Sequence, residues 1–255
     1  MRIKLWLVFI IAGTLIGCAG QTRQEQETQK NEKEAAVINV QLASGYIQRG
    51  DLKVAEQKLL KAIEFDDEYV PAYTTMAVLM TMLGKSDKAE DFYLDALDLD
   101  PRDPELQNNY GAFLCNIGKL EAAFKQFRQA MNNKFYATPE AAHANMGYCM
   151  MKGKRPDYHA AEKHLRAALK QNPNMTTALL AMGELGIEMK KYLMARAYMQ
   201  RYHALVRPSA HSLWVQVQAE HALGDKEYFL KISRELIKSY PLSDEAQKVM
   251  RLSDL

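Results

Sequence analysis

The chain has 255 residues, of which 33 are basic and 31 acidic, and its formal net charge is +2. Residues 1–17 hold Arg2 and Lys4 and no acid, so the remainder carries 31 charges of each sign. A neutral body with no basic stripe argues against nucleic acid as a partner, and against binding driven by bulk charge.

Met1-Arg2-Ile3-Lys4 is a short basic start, followed by an apolar run of twelve residues from Leu5 to Ile16. Such a run falls well short of the roughly 20 residues that span a bilayer, so residues 1–17 read as a signal peptide. Leu15, Ile16, Gly17 and Cys18 have the form of a bacterial lipobox: two aliphatic residues, a small one, then Cys. The thiol of Cys18 is the predicted acceptor of a diacylglyceryl group, and an amide-linked third chain (palmitate is typical) would complete the anchor. Each buried CH2 then contributes about 0.8 kcal/mol of membrane affinity. Ala19, rather than Asp, follows the Cys. By the usual enterobacterial sorting rule, that residue directs a lipoprotein to the outer membrane, here anchored on its periplasmic side.

Residues 18–33 contain Gln, Glu, Thr, Lys and Asn but no large apolar side chain. They cannot bury enough surface to fold and are predicted to form a flexible polar tether. Its average span would be roughly 20 to 25 Å, and at most about 50 Å when fully extended.

From residue 34 to 255 the chain repeats. Gly50, Gly84 and Gly118 lie 34 residues apart, as do Ala55, Ala89 and Ala123. Self-similarity at this period belongs to helix-turn-helix solenoids of the tetratricopeptide type. Six units begin at Ala36, Val70, Pro104, Glu140, Thr176 and Ala210. Position 20 then reads Ala55, Ala89, Ala123, Ala161, Ala195 and Phe229, and position 8 reads Ala43, Ala77, Gly111, Gly147, Gly183 and Val217. Small residues at 8 and 20 are expected to meet where the two helices of a unit cross. The junction 132–139 and the turn 151–159 are each two residues longer than the norm. The sixth unit departs most, with Phe229 in place of Ala, and residues 243–255 read as a capping helix. The predicted fold is an all-α, six-repeat tetratricopeptide solenoid, a scaffold for holding other proteins.

Catalytic patterns do not emerge from the residues. The six histidines (143, 159, 164, 203, 211 and 221) form no HExxH and no zinc spacing with Cys. There is neither a phosphate loop nor a G-x-S-x-G. Neither enzyme activity nor a metal, cofactor or small-molecule substrate is predicted. Cys115 and Cys149 occupy positions 12 and 10 of adjacent first helices. Position 12 faces the concave side and position 10 does not, so two free, partly buried thiols are expected.

The groove is the remaining candidate site. First-helix positions 2, 5, 9, 12 and 13 select Val40, Ser44 and Ile47, then Thr74, Val78, Thr81 and Met82. Asn108, Ala112, Cys115 and Tyr148 continue the series, and Asn109 joins them as a second amide beside Asn108. This lining is mostly apolar and nearly free of Lys and Arg, which suits an extended or amphipathic segment of a partner better than a carboxylate.

Asn108-Asn109-Tyr110-Gly111-Ala112-Phe113-Leu114-Cys115 and Asn145-Met146-Gly147-Tyr148-Cys149 resemble the type IV pilus biogenesis and stability lipoproteins (PilF/PilW). The stretches 161–169, 195–202 and Ser212-Leu213-Trp214 are similar to theirs as well, and the resemblance covers essentially the whole chain. It implies a pilotin, monomeric on its own, that binds the type IV pilus secretin and promotes its outer-membrane localisation and ring assembly. The first three repeats are the expected contact region. The same lipobox and helices would also serve a general envelope scaffold for β-barrel assembly or peptidoglycan enzymes. The Asn-Asn-Tyr-Gly block is the feature that separates the two.

Overall fold

The 34-residue period becomes a series of antiparallel helix pairs. The computed structural model describes residues 16–253, which divide into two compact units between Pro101 and Arg102. The sequence reading has one domain from 34 to 255. In a repeat stack, contacts run between neighbours only, so a repeat boundary is where such a division falls. The first unit holds α1 (Ile16–Arg49), α2 (Leu52–Phe65), α3 (Val70–Met82) and α4 (Ser86–Leu99). The second holds α5 (Pro104–Asn116), α6 (Leu120–Asn132), α7 (Pro139–Met150), α8 (Tyr158–Gln171) and α9 (Thr176–Glu188). It continues with α10 (Tyr192–His203), α11 (Ala210–Leu223), α12 (Lys226–Ser239) and α13 (Asp244–Ser253). Among the described residues, no helix is long and apolar enough to cross a membrane.

Most of the predicted signal peptide, residues 1–15 with Leu15 of the lipobox, lies outside the described residues. Ile16, Gly17 and Cys18 open the described part of α1. The segment 18–33, read as a flexible tether, is helical instead. Its described side chains, from Arg23 to Glu34, are all exposed, and Ala36 is the first buried residue. The conformation expected of this stretch is thereby corrected from coil to helix. Gln, Glu, Lys and Arg are good helix formers, and a helix already nucleated by a packed neighbour extends through them at little cost.

Gly50, Gly84 and Gly118 recur because each ends a first helix in the left-handed region, with φ of +81°, +70° and +80°. There the chain reverses within two residues: the Lys85 amide donates to the Met80 carbonyl at 2.9 Å and the Gly84 amide to Thr81 at 3.0 Å. Lys190 holds the equivalent turn of the fifth unit at φ 57° without glycine.

The small residues mesh in a different register from the one expected. In antiparallel helices residue numbers run in opposite senses, so position 8 lies opposite position 24, and position 11 lies opposite position 20. A Cβ on Gly111 would fall 2.7 Å from the Phe127 ring, and one on Gly183 would fall 2.4 Å from the Met199 sulfur. Both neighbours are at position 24. Ala195, at position 20, is met by Gly186: a Cβ there would lie 2.8 Å from the Ala195 backbone nitrogen. Gly147 touches both levels, facing Leu165 and the Ala161 carbonyl.

The sixth unit is tied to the fifth by side-chain chemistry. Glu220 is fully buried and takes a bidentate pair from Arg196, whose Nε donates to Oε1 at 3.0 Å and whose Nη2 donates to Oε2. The same Nη2 reaches Asp225 at 3.1 Å, and Asp225 caps α12 by accepting from the Tyr228 amide. Leu213, Val217, Ile232 and Leu236 form the core there, closed by Ala246 and Val249 of α13. The capping helix is therefore present.

The glycines predict opposite signs for one substitution. Gly45→Ala has only the end of the Arg49 side chain within reach, at 3.8 Å, and is expected to stabilise by about 0.5–1 kcal/mol through helix propensity. Gly186→Ala gains the same propensity but presses on backbone, and is expected to destabilise by about 1–3 kcal/mol. Thermal denaturation of the two variants checks this, and a stabilised Gly186→Ala would refute the close approach of α9 and α10.

Candidate protein-binding surfaces

In the first unit, Val40, Ser44 and Ile47 of α1 and Thr74, Val78 and Met82 of α3 recur every three or four residues, which places each set on one face of its helix. Val40 is buried at 8% exposure, Ser44, Ile47 and Thr74 are half-buried, and Val78 and Met82 are open at 36% and 54%. The hydroxyls turn back onto their own helices. Ser44 donates to the Val40 carbonyl at 3.0 Å, Thr74 to Val70 at 3.0 Å and Thr81 to Ala77 at 2.8 Å. With its donor satisfied internally, each Thr offers a methyl group to the surface. Ile38 and Leu42 of α1 are also exposed. The first unit therefore presents an apolar first-helix surface whose most accessible members are Val78 and Met82.

The second unit treats its predicted lining differently. Asn109 is exposed and Ala112 half-buried, but Asn108 is only 6% exposed and its Oδ1 accepts from the Asn145 Nδ2 at 3.0 Å. Tyr148 is half-buried, with the Lys152 ammonium 4.3 Å from its ring centroid. Cys115, 7% exposed, is joined to Cys149 by a disulfide with a Cα–Cα distance of 5.8 Å, within the ordinary range. This corrects the expectation of two free thiols. In a stack of parallel first helices, one helix meets the next with opposite sides. Two residues along a helix turn it by about 200°, so the different directions of positions 12 and 10 are what bridging requires. The missed signal was the separation of the cysteines, 34 residues, which equals the repeat period.

Asn108–Asn145 near the start of α5 and Cys115–Cys149 near its end cross-link α5 to α7 at two levels. The amide of Asn108 thus serves the scaffold, leaving Asn109 as the free amide of the pair in sequence. A second polar contact lies between α7 and α8, where the Nδ1 atoms of His143 and His164 are 3.0 Å apart. Burial holds both imidazoles below their ordinary pKa, and for His164 the charges of His143 and Lys163 push the same way. Among the described residues, no group of three or more His, Cys, Asp or Glu could hold a metal ion.

Helix pairs of this register, with open first-helix faces, define a tetratricopeptide-repeat fold of the protein-interaction class, and residues 92–125 match the tetratricopeptide repeat family model. Along nearly its whole length the chain is also homologous to a type IV pilus protein. It is 28% identical over 249 residues to the type IV pilus assembly protein PilF of Pseudomonas aeruginosa, covering 97% of this chain and 98% of that one. The crystal structure of PilW, a type IV pilus biogenesis factor, superposes with a TM-score of 0.76 at 26% identity, over 84% of this chain and 98% of PilW. The structure of Pseudomonas aeruginosa PilF gives 0.73 at 26% identity, over 87% and 99%. Along nearly its whole length the chain is therefore similar to tetratricopeptide-repeat proteins of type IV pilus biogenesis.

The bridge and the histidine pair each generate an expectation. Closing a loop of about 34 residues removes roughly 3–4 kcal/mol of unfolded-state entropy. Cys115→Ser, or reduction of the native protein, should therefore lower the denaturation midpoint by an amount of that order or somewhat less. Unchanged midpoints with and without reductant would rule the bridge out. Imidazoles with folded pKa values below their unfolded value of about 6.5 bind protons more readily in the unfolded chain, so stability is lost as pH falls through that region. Melting temperatures should drop between pH 7.5 and 5, and drop less in a His143→Asn/His164→Asn variant. Equal slopes in the two proteins would remove the pair as the cause.

Proposed function

We propose that this protein is a pilotin. On this reading it is anchored through lipid on Cys18 to the periplasmic side of the outer membrane, binds the type IV pilus secretin through its first-helix faces, and promotes localisation and oligomerisation of the secretin there. The observation that carries the reading is homology to PilF over 97% of the chain. The exposed Val78 and Met82 on α3 give it a physical form. They offer apolar contact with almost no competing charge, and the flexible Met adapts to an irregular partner segment. Bringing a lipid-anchored carrier and a secretin subunit together raises the effective concentration of subunits at one membrane, which favours ring assembly without any new contact between them.

Full-length lipoprotein solubilised from envelopes should co-purify with the secretin, and a Cys18→Ala variant should leave rings unassembled or misplaced. Val78→Lys and Met82→Lys place charge on the two most exposed positions of this α3 face, and together they should weaken secretin binding about tenfold or more, roughly 1.4 kcal/mol per decade. Asn108→Lys is unsuitable for this purpose, because Asn108 is buried against Asn145. Normal secretin rings in a well-folded double variant would sink the proposed surface. Recovery of β-barrel assembly factors or peptidoglycan enzymes in place of the secretin would move the function to a general envelope scaffold.

A further inference from the structure

The neutral total hides a division of charge. Residues 51–101 contain twelve acidic and five basic side chains, whereas residues 102–255 contain 15 acidic and 22 basic. The acidic excess of the first unit is gathered around a structural gap. The second helices α2 and α4 stand apart on either side of α3, leaving an open cleft of about 340 Å³ between them. Its floor is Met76 and Met80 of α3 with Leu60 of α2 and Phe92 of α4. Leu60 is 55% exposed, a costly position for a leucine with nothing to cover it. The rim carries Glu56, Asp91 and Asp95, with one cation, Lys88, in the first turn of α4. None of these three carboxylates is in a salt bridge or a side-chain hydrogen bond among the described residues.

Periodicity separates this cleft from the surface argued above. Met76 and Met80 are each two residues from Val78, about 200° around α3, so the cleft opens on the opposite side of that helix from Val78 and Met82. On α4, residues 88, 91, 92 and 95 fall on one stripe, and on α2, Glu56 and Leu60 are one turn apart. An apolar trough between two helices, with carboxylates on both banks, matches a helix that carries aliphatic residues at i, i+3 or i+4, and i+7, flanked by Lys or Arg. The volume is at the small end of what binding sites use and fits the side chains along one face of a helix better than a compact ligand.

We propose that the α2–α4 cleft is a second docking site, which takes a cationic amphipathic helix of a partner protein. The charge of the rim selects the sign of the partner, and the accessible Leu60 and Phe92, above the closed floor of Met76 and Met80, accept its apolar face. The two sides of α3 then hold different segments, one recognised by apolar contact alone and the other by apolar contact together with positive charge. This site does not depend on the pilotin reading, since it shares no residue with the Val78–Met82 surface.

The test uses residues 19–255, which retain every described buried side chain, since Ala36 is the first of them. The probe is a synthetic 16-residue Leu/Lys amphipathic helix, and the control is the same peptide with Glu for every Lys. The Leu/Lys peptide should bind with an affinity that weakens steeply as salt rises, and should shift the methyl signals of Met76 and Met80. A Glu56→Gln/Asp91→Asn/Asp95→Asn variant removes charge without removing any ion pair and should weaken binding about tenfold. Leu60→Asn should weaken it independently of salt, and Val78→Lys should leave it within about twofold. Equal binding of the Glu peptide, an unaffected triple variant, or shifts at Met82 in place of Met76 and Met80 would overturn the proposal. Salt-sensitive self-association in sedimentation equilibrium that is abolished by the triple variant would also overturn it, by making the basic half of a second copy the occupant.

Discussion

Everything in this molecule depends on how closely two antiparallel helices can approach. A first helix and a second helix lie near enough that the Cβ of an alanine at position 186 would sit 2.8 Å from a backbone nitrogen across the interface. Dispersion and apolar burial fall off steeply with distance, so the gain from each pair is set by the smallest residues in it. Gly111, Gly147, Gly183 and Gly186, with Ala89, Ala123 and Ala195, fix that distance. The large side chains Phe127, Leu165 and Met199 then fill the space left opposite Gly111, Gly147 and Gly183. Once these positions are assigned to the interior of a pair, the remaining faces of each first helix are left for neighbours or for partners. Function in such a scaffold is what the packing does not consume.

This division explains why the two units present different surfaces from equivalent positions. In the first, the remaining first-helix face is apolar and open, with Thr and Ser donors returned to their own helices. In the second, the same face is partly spent on holding α5 to α7, through an amide pair at one level and a disulfide two turns along. A covalent link between successive first helices limits how far they can shear, so the second unit keeps a fixed surface where the first relies on packing alone. The sixth unit shows a third solution. Between α10 and α11 the buried carboxylate of Glu220 is retained because Arg196, from the preceding unit, donates two hydrogen bonds to it.

The repeat, the paired-helix form of its units, the recurrence of glycine at one position and the capping helix were legible because each follows from a local rule read at a fixed period. What failed was information carried between helices. The crossing register could not be read from position numbers alone, since antiparallel pairing sets 8 against 24 and 11 against 20. The Cys115–Cys149 bridge was judged by the direction of each residue on its own helix, when its formation depends on the two helices meeting with opposite sides. Burial of Asn108 was hidden for the same reason, because its partner Asn145 belongs to another repeat. Averaging charge over the chain concealed the acidic rim, although the residues that form it were in plain view at helical spacing.

The helical form of residues 18–33 alters the physics of the proposed anchor. A coil of about 16 residues and a helix of the same length reach similar distances, roughly 20 to 25 Å, since a helix rises about 1.5 Å per residue. They differ in what they transmit. A coil would let the repeats sample every orientation about Cys18, and the effective concentration at the membrane would be spread over that whole volume. A helix continuous with α1, whose later turns bury Ala36, Val40 and Ala43 against the stack, couples the axis of the anchor to the axis of the first repeat. Lipid attachment would then constrain direction as well as distance, and a partner held by the exposed face of α3 would be presented to the membrane along a restricted set of approaches.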